Sequence, residues 1–445
     1  MFIPTLFINL NRVIENHQIM QEEYLHYLWR MKRLNFSNLS LINCAKNPVY
    51  IDEVGWYNLD AGPDFFNGMI TINGIQWSGN IELHIKSSDW YAHKHHLDDA
   101  YNNVILHVVY EHDKEVFVNG DVLPTIELKN LIDHKHHVNY TSIISNVHKV
   151  PCYSHIKDHL FSLLQQIDIS FIHRIERKGL SLFEMTGNES RDKNALFLSA
   201  IFQSVGGRTN KLPMQELAQL ISYAIVAKEK WDAIRLEALL FGCAGLLNKN
   251  CTDAYYLSLK NQWIFLKNKY QLPEMRKDAW KFGGIRPFSF PTFILAQVSG
   301  FLLQFEYTKL DQLSHKEIIN QIYSLNDHLI NPYWETHFLF GKESKKRKVK
   351  FSNLFKDNLL INGIVPYFVA LKHLNNDFSY ADKAIELMEN IQPEKNAVTN
   401  YWRNIGFQPK NALESQGLLE LNNEFCNFKK CLSCKVGVEV LEKKI

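Results

Sequence analysis

A chain of 445 residues that is 46% hydrophobic and 13% aromatic excludes extensive disorder and exceeds one ordinary core, so two or three domains are expected. A net charge of +2, from 49 basic and 47 acidic residues, excludes a global electrostatic commitment to nucleic acid or membrane, so any polyanion site has to be local. Seven cysteines at irregular spacing fit a reducing cytoplasm better than a disulfide scaffold, and the absence of a run of eighteen apolar residues predicts no membrane span.

Residues 1–19 hold an apolar stretch without a basic leader or a small-residue cleavage site, and read as an N-terminal extension. From Gln21 to Leu34 the residues Tyr24, Leu25, Leu28 and Trp29 recur at helical spacing. Short alternating segments then run to about residue 140: VYIDEVGWYNL, GMITING, IQWSGNIELHIK, NNVILHVVYEH, EVFVNG and PTIELK. Asn73-Gly74 and Asn119-Gly120 punctuate them as hairpin turns. A mixed sheet with flanking helices is predicted over 20–140. From about Tyr153 the apolar period turns helical and stays so, in stretches such as KNALFLSAIFQSVG and WDAIRLEALLFGCAGLL. No fixed repeat recurs, so an irregular all-helical domain is predicted over 150–425, followed by a cysteine-bearing tail over 426–445. The fold class is α+β.

The chemistry concentrates in Asn80–Lys86, NIELHIK. With a strand period of two, Ile81, Leu83 and Ile85 face one side, and Glu82, His84 and Lys86 the other, at steps of about 7 Å. Upstream, Gly62-Pro63-Asp64 ends a turn and places a carboxylate at a strand mouth. A hairpin through Asn73-Gly74 folds Asp64 toward Glu82, where the two can share Mg²⁺ or Mn²⁺ through oxygen ligands. The plainer alternative is the solvated face of an antiparallel sheet. His93, His95, His96 and His107 nearby raise a further option, a His/carboxylate site for Zn²⁺ or Fe²⁺.

The order helix, strand, Pro-Asp, strand, Glu-x-basic, short helix, strand over about residues 20–130 resembles the core of the PD-(D/E)XK nuclease superfamily, with its restriction-endonuclease-like sheet. The resemblance implies that Asp64 and Glu82 hold the metal, that Glu22 or Glu23 is an auxiliary carboxylate, and that the substrate is nucleic acid. The expected lysine two positions after Glu82 is replaced by His84, so either His84 or Lys86 is expected to orient the water. The implied function is a metal-dependent phosphodiesterase, or a descendant that binds nucleic acid or protein without catalysis.

Three cysteines lie close together in the tail: Cys426, Cys431 and Cys434. Thiolates suit Zn²⁺ or an iron–sulfur cluster, with lysines beside them favouring the ionised form, and Cys44 is the expected fourth ligand; the plainer alternative is partly buried thiols that cap a C-terminal helix. Cys152, Cys243 and Cys251 read as core. The run KESKKRKVK, with Lys345, Lys346, Arg347 and Lys348, is a solvated loop or a phosphate-contacting strip. Gly206-Gly207-Arg208 lacks the GxxxxGK[ST] of a phosphate loop, and no nucleophile elbow or dinucleotide fingerprint is present. From Met20 onward, segments such as DAGPDF, GNIELHIKSSDW, RPFSFP and NALESQGLLEL resemble an uncharacterised bacterial family of the kind found in Bacteroidetes, whose domain has no assigned function.

Overall fold

The computed structural model describes residues 20–42, 47–185 and 192–442; the candidate extension 1–19 and Cys44 lie outside them. The chain forms two units, Met1–Leu163 with Glu424–Ile445, and Leu164–Asn423. The first holds the mixed sheet and the second is mostly helical, an α+β arrangement.

In the first unit the apolar spacing after Gln21 forms helix α1 (Glu22–Arg30), with Tyr24, Leu25, Leu28 and Trp29 buried. The Trp29 indole N–H donates to the Val54 carbonyl at 3.0 Å, so its one polar atom is satisfied in the core. Strands β1 (Val49–Glu53), β2 (Trp56–Tyr57), β3 (Phe65–Ile72) and β4 (Ile75–Lys86) follow. Asn73 and Gly74 both take positive φ, 52° and 77°, as a type I′ turn requires, and close β3 onto β4. A crossover containing helix α2 (Asp89–Ala92) leads to β5 (Val104–Glu111). A second Asn-Gly turn joins β6 (Phe117–Val118) to β7 (Asp121–Val122), and β8 (Thr125–Glu127) completes the sheet.

The strand order is β1-β3-β4-β5-β8, with β2 beside β3. β3 is antiparallel to β1 and β4, while β5 is parallel to β4 and β8. β4 is therefore central. A parallel neighbour needs a crossover, and here the crossover carries the histidines.

The compact unit that holds the sheet extends to Leu163. Helix α3 (His134–Ile144) stays with the sheet because Tyr140 stacks on Tyr24 at 4.6 Å and donates its hydroxyl to Gln21 at 2.8 Å. The tail belongs to this unit as well. Its helix Lys435–Glu442 buries Val436, Val440 and Leu441, and Glu439 lies 3.2 Å from the buried His159.

The second unit is built from helices running from Leu160–Met185 to Ala412–Glu420. Its core includes Phe171, Phe202, Phe241 and Trp334. One short hairpin, His337–Leu339 with Lys342–Glu343, interrupts the helices. The segment Asn353–Asn375 is long and apolar enough to cross a membrane, but 72% of its apolar window is buried within the protein, as in the core helix of a folded domain.

Candidate metal centre

The hairpin alone does not bring Asp64 to Glu82. Its turn pairs Ile72 with Ile75 and Gly68 with Gly79. Continued unbroken, that register sets Phe65 opposite Glu82 and leaves Asp64 on the core face. The register shifts between Phe65 and Gly68, and Phe65 pairs with Ile81 instead. β3 thus carries one extra residue, with Asn67 in the left-handed region at φ 55°. A one-residue bulge turns every following side chain to the opposite face; here it buries Phe65 and delivers Asp64 to Glu82. Gly68 permits the close approach, since a Cβ there lies 2.5 Å from Ile81 Cδ1.

The two acids are then locked together through the backbone. Asp64 N–H donates to Glu82 Oε2 at 3.0 Å, and Leu83 N–H donates to Asp64 Oδ2 at 2.9 Å. From α1, His26 Nε2 approaches the same Asp64 oxygen at 3.2 Å. Glu22, one turn earlier on that helix, feels His26, Asp64 and His93, and its carboxyl is raised chiefly by burial. Glu23 is exposed, so Glu22 is the α1 carboxylate that faces the pair.

On its other side Glu82 meets imidazoles. Its Oε1 lies 3.3 Å from His95 Nε2 and 3.6 Å from His84 Nε2. His84 Nε2 is 3.2 Å from His93 Nδ1, and His84 Nδ1 is 2.8 Å from His107 Nε2. His84, His93 and His95 each offer a ligand atom within 4.8 Å of the others, the one such group of three among the described residues. Lys94, at φ 65°, turns the chain between His93 and His95. Trp90 packs edge-on against His95 and His107 at 5.4 and 5.6 Å, and Tyr101 stacks on His95 at 3.9 Å. A cleft of about 800 Å³ opens here, walled by the Asp60–Gly62 turn, His93, His95, Asp98 and Tyr101.

Burial decides the electrostatics. Glu82, His84 and His107 are 4%, 1% and 0% exposed, so the polar face of β4 is not a solvated sheet surface. Burial, and then the charge of Asp64, hold the Glu82 carboxyl far above the ordinary carboxylate range. Burial and then His107, His95 and His93 push His84 down to about 2, and burial pushes His107 to about 3. His84 is thus a neutral imidazole, with both ring nitrogens facing other histidines. A base whose conjugate acid has a pKa so low is too weak to take a proton from water near neutrality, and its position suits ligation instead. Lys86 is exposed at the end of β4, its N–H on Asp89 Oδ2 at 2.9 Å and its charge beside Asp113. Of the two residues expected to orient water, only His84 stands at the carboxylates. Sequence reasoning passed over His26, although its spacing of four from Glu22 puts both on one face of α1.

Residues 22–397 match the family described as a protein of unknown function, DUF2851. The chain belongs to the DUF2851 family. Searches of curated proteins and of solved structures give no match. The DUF2851 match takes in Glu22, Asp64, Glu82, the three histidines and Cys152, and ends before the cysteine tail.

The tail cysteines of this DUF2851 protein gather with Cys152. Burial raises each thiol first. Cys426 then feels Cys152, Cys434 and Cys431, while Cys152 feels Cys434 and Cys431. Cys152, Cys431 and Cys434 are buried, and Cys434 accepts N–H groups of Gly437 and Val436. Cys152 lies close enough to the tail thiols to influence their ionisation. Its separation of 274 positions from Cys426 left no local signal in the sequence.

The basic run divides. Arg347 is engaged within the protein: it donates to Ser344 Oγ at 2.8 Å, to the Trp334 carbonyl at 2.7 Å and to the His337 carbonyl. Its guanidinium also covers the Phe338 ring at 3.5 Å. Lys345, Lys346 and Lys348 are exposed, Lys346 lying 3.6 Å from Glu335.

Proposed function

We propose that this DUF2851 protein is a divalent-metal-dependent phosphodiesterase acting on nucleic acid, with its centre at Asp64 and Glu82. The observation that carries this reading is the placement of Glu82, one oxygen on the Asp64 N–H and the other facing His84 and His95. Two acids so close and so buried resist joint ionisation without a cation, and neutral imidazoles beside them are ready ligands. Asp64, Glu82, His84, His93 and His95 would hold the ion, with Glu22 behind them. Imidazole ligands favour Mn²⁺ over Mg²⁺ in such a set. When bound, the ion lowers the pKa of its water and offsets charge developing on phosphate. His26 orients Asp64, and the neighbouring cleft receives the substrate strand. The order of elements, with Pro-Asp before one strand and Glu-x-His on the next, supports kinship with PD-(D/E)XK nucleases, and cytoplasmic residence agrees with the unpaired thiols.

The test is anaerobic purification, metal analysis and a Mg²⁺/Mn²⁺ cleavage assay on single- and double-stranded DNA and RNA, beside Asp64→Ala and Glu82→Ala. Metal-dependent cleavage that both variants lose supports the reading. Folded protein with neither cleavage nor bound ion refutes it, and leaves a non-catalytic nucleic-acid- or protein-binding role.

The cysteine group supports a second, structural metal. Cys152, Cys426, Cys431 and Cys434, whose thiols influence one another, are the candidate ligands for Zn²⁺ or an iron–sulfur cluster, although their sulfurs do not converge as the ligand atoms of His84, His93 and His95 do. Visible absorbance and iron content distinguish the cluster from zinc. Loss of either metal in Cys152→Ser supports this ligand set, and full retention in that variant refutes it.

A further inference from the structure

The helical unit contains a hollow of about 630 Å³ whose lining includes Arg174, Arg177, Lys178, Arg208 and Lys211, against one carboxylate, Glu394. Its volume lies within the range of small-molecule sites, roughly 300–1,000 Å³. Not all of the charge is free. Glu420, with a fully buried carboxylate, holds Arg174 at 3.0 Å and Arg177 at 2.8 Å, which fixes both guanidinium groups at the wall. Lys178, Arg208 and Lys211 have no carboxylate oxygen within 4.0 Å among the described residues, the Lys178 Nζ resting instead on Asn362 Oδ1 at 2.8 Å.

Asn362 sits in a π-helical turn, Leu359–Ile364, and binds Asn358 Oδ1 at 3.0 Å, so two amides of one wall face the cations. Such turns occur frequently at functional sites. On the rim stands the Gly206-Gly207-Arg208 segment, which has no phosphate-loop motif in sequence. Gly207 is at φ 57° with nothing within 4 Å of its Cβ position, and the chain there leads Arg208 and Lys211 to the hollow.

We propose that this hollow binds the phosphate groups of a nucleotide-sized phosphorylated small molecule. Fixed guanidiniums and converging ammonium groups are the donors that recognise phosphate oxygens. A nucleic-acid duplex, whose major groove alone is about 12 Å wide, does not enter such a volume. Burial and then Arg174 hold Lys178 down to about 7; Glu394 opposes them, and Lys211 and Arg177 each lower it by less than Glu394 raises it. An entering anion reverses this, so binding near pH 7.5 takes up a proton. The inference stands apart from the carboxylate centre and needs no metal.

The experiment is calorimetric titration of the full chain with inorganic pyrophosphate and with ATP, without added metal, at pH 7.5 in two buffers of different ionisation heat. The expected result is saturable 1:1 binding with proton uptake. Arg208→Ala/Lys211→Ala, at two exposed positions, weakens it at least tenfold with unchanged circular dichroism, and Lys178→Met removes the proton uptake. Absence of saturable binding by both probes overturns the proposal, as does affinity indifferent to the double variant. Binding of a single-stranded oligonucleotide that pyrophosphate does not displace overturns it too, in favour of a polymer-binding surface.

Discussion

On the proposed function, metal binding at Glu82 has to displace a proton, and the displacement is measurable. Burial and Asp64 hold the carboxyl protonated above neutrality, while a metal ligand must be ionised. Below the raised pKa, each bound ion releases one proton, so affinity tightens about tenfold, or 1.36 kcal/mol, per pH unit. His84 contributes nothing to this slope, since its imidazole is already neutral. Mn²⁺ titrations between pH 7 and 8 isolate Glu82, because ordinary imidazoles, near ~6.5, are mostly neutral there. The expected wild-type change is close to tenfold across that unit, and Glu82→Gln binds more weakly with a flat profile. A flat wild-type profile, or an equal slope in Glu82→Gln, refutes the reasoning.

The same shift has a stability consequence of fixed sign. A carboxyl whose folded pKa is raised stabilises the fold fully below its unfolded value and loses that contribution as pH rises toward the folded one. Metal-free protein should therefore melt at progressively lower temperature from about pH 4.5 upward, with Glu82→Gln flattening the dependence. Deleting Asn67 restores the unbroken hairpin register and turns Asp64 to the core face; it should abolish Mn²⁺ binding in calorimetry while circular dichroism retains the sheet. Arg347→Ala should lower stability by roughly 2–4 kcal/mol in urea unfolding, from the lost carbonyl bonds and ring contact, and leave nucleic-acid affinity unchanged. Gly242→Ala places a Cβ 2.0 Å from Trp263 Cδ2 and should cost about 1–3 kcal/mol or more by overpacking, seen as a lower Tm.

Local rules carried the reading of the chain as far as local rules reach. The apolar period of α1, the two Asn-Gly turns and the change to helical spacing near Tyr153 all correspond to observed elements, because each depends on contacts within a few residues. Long-range assembly was less legible. Cys152 is buried, as expected of a core cysteine, but its nearness to the tail thiols left no local signal, and neither did the stack of Tyr140 on Tyr24. Arg347 looked like one more loop cation because its acceptors are carbonyls, which carry no side-chain identity in a sequence.

The bulge at Asn67 is the sharpest instance, and it bears on the site itself. Pattern reasoning placed Asp64 and Glu82 in neighbouring strands, yet the strict alternation that identifies Glu82's face assigns Asp64 to the opposite one. One residue inserted into β3 resolves the conflict by burying Phe65 at 0% exposure and turning Asp64 outward to Glu82. Bulges next to active sites are designed features that re-aim a side chain. This one exchanges a ladder pairing for the meeting of two carboxylates that Coulomb repulsion and desolvation both oppose. Burial of Phe65 favours the shift, and the N–H groups of Asp64 and Leu83 hold the two carboxyl groups once they meet. On the proposed function, a cation between the acids adds a favourable interaction of its own, and the register of β3 then belongs with the metal ligands.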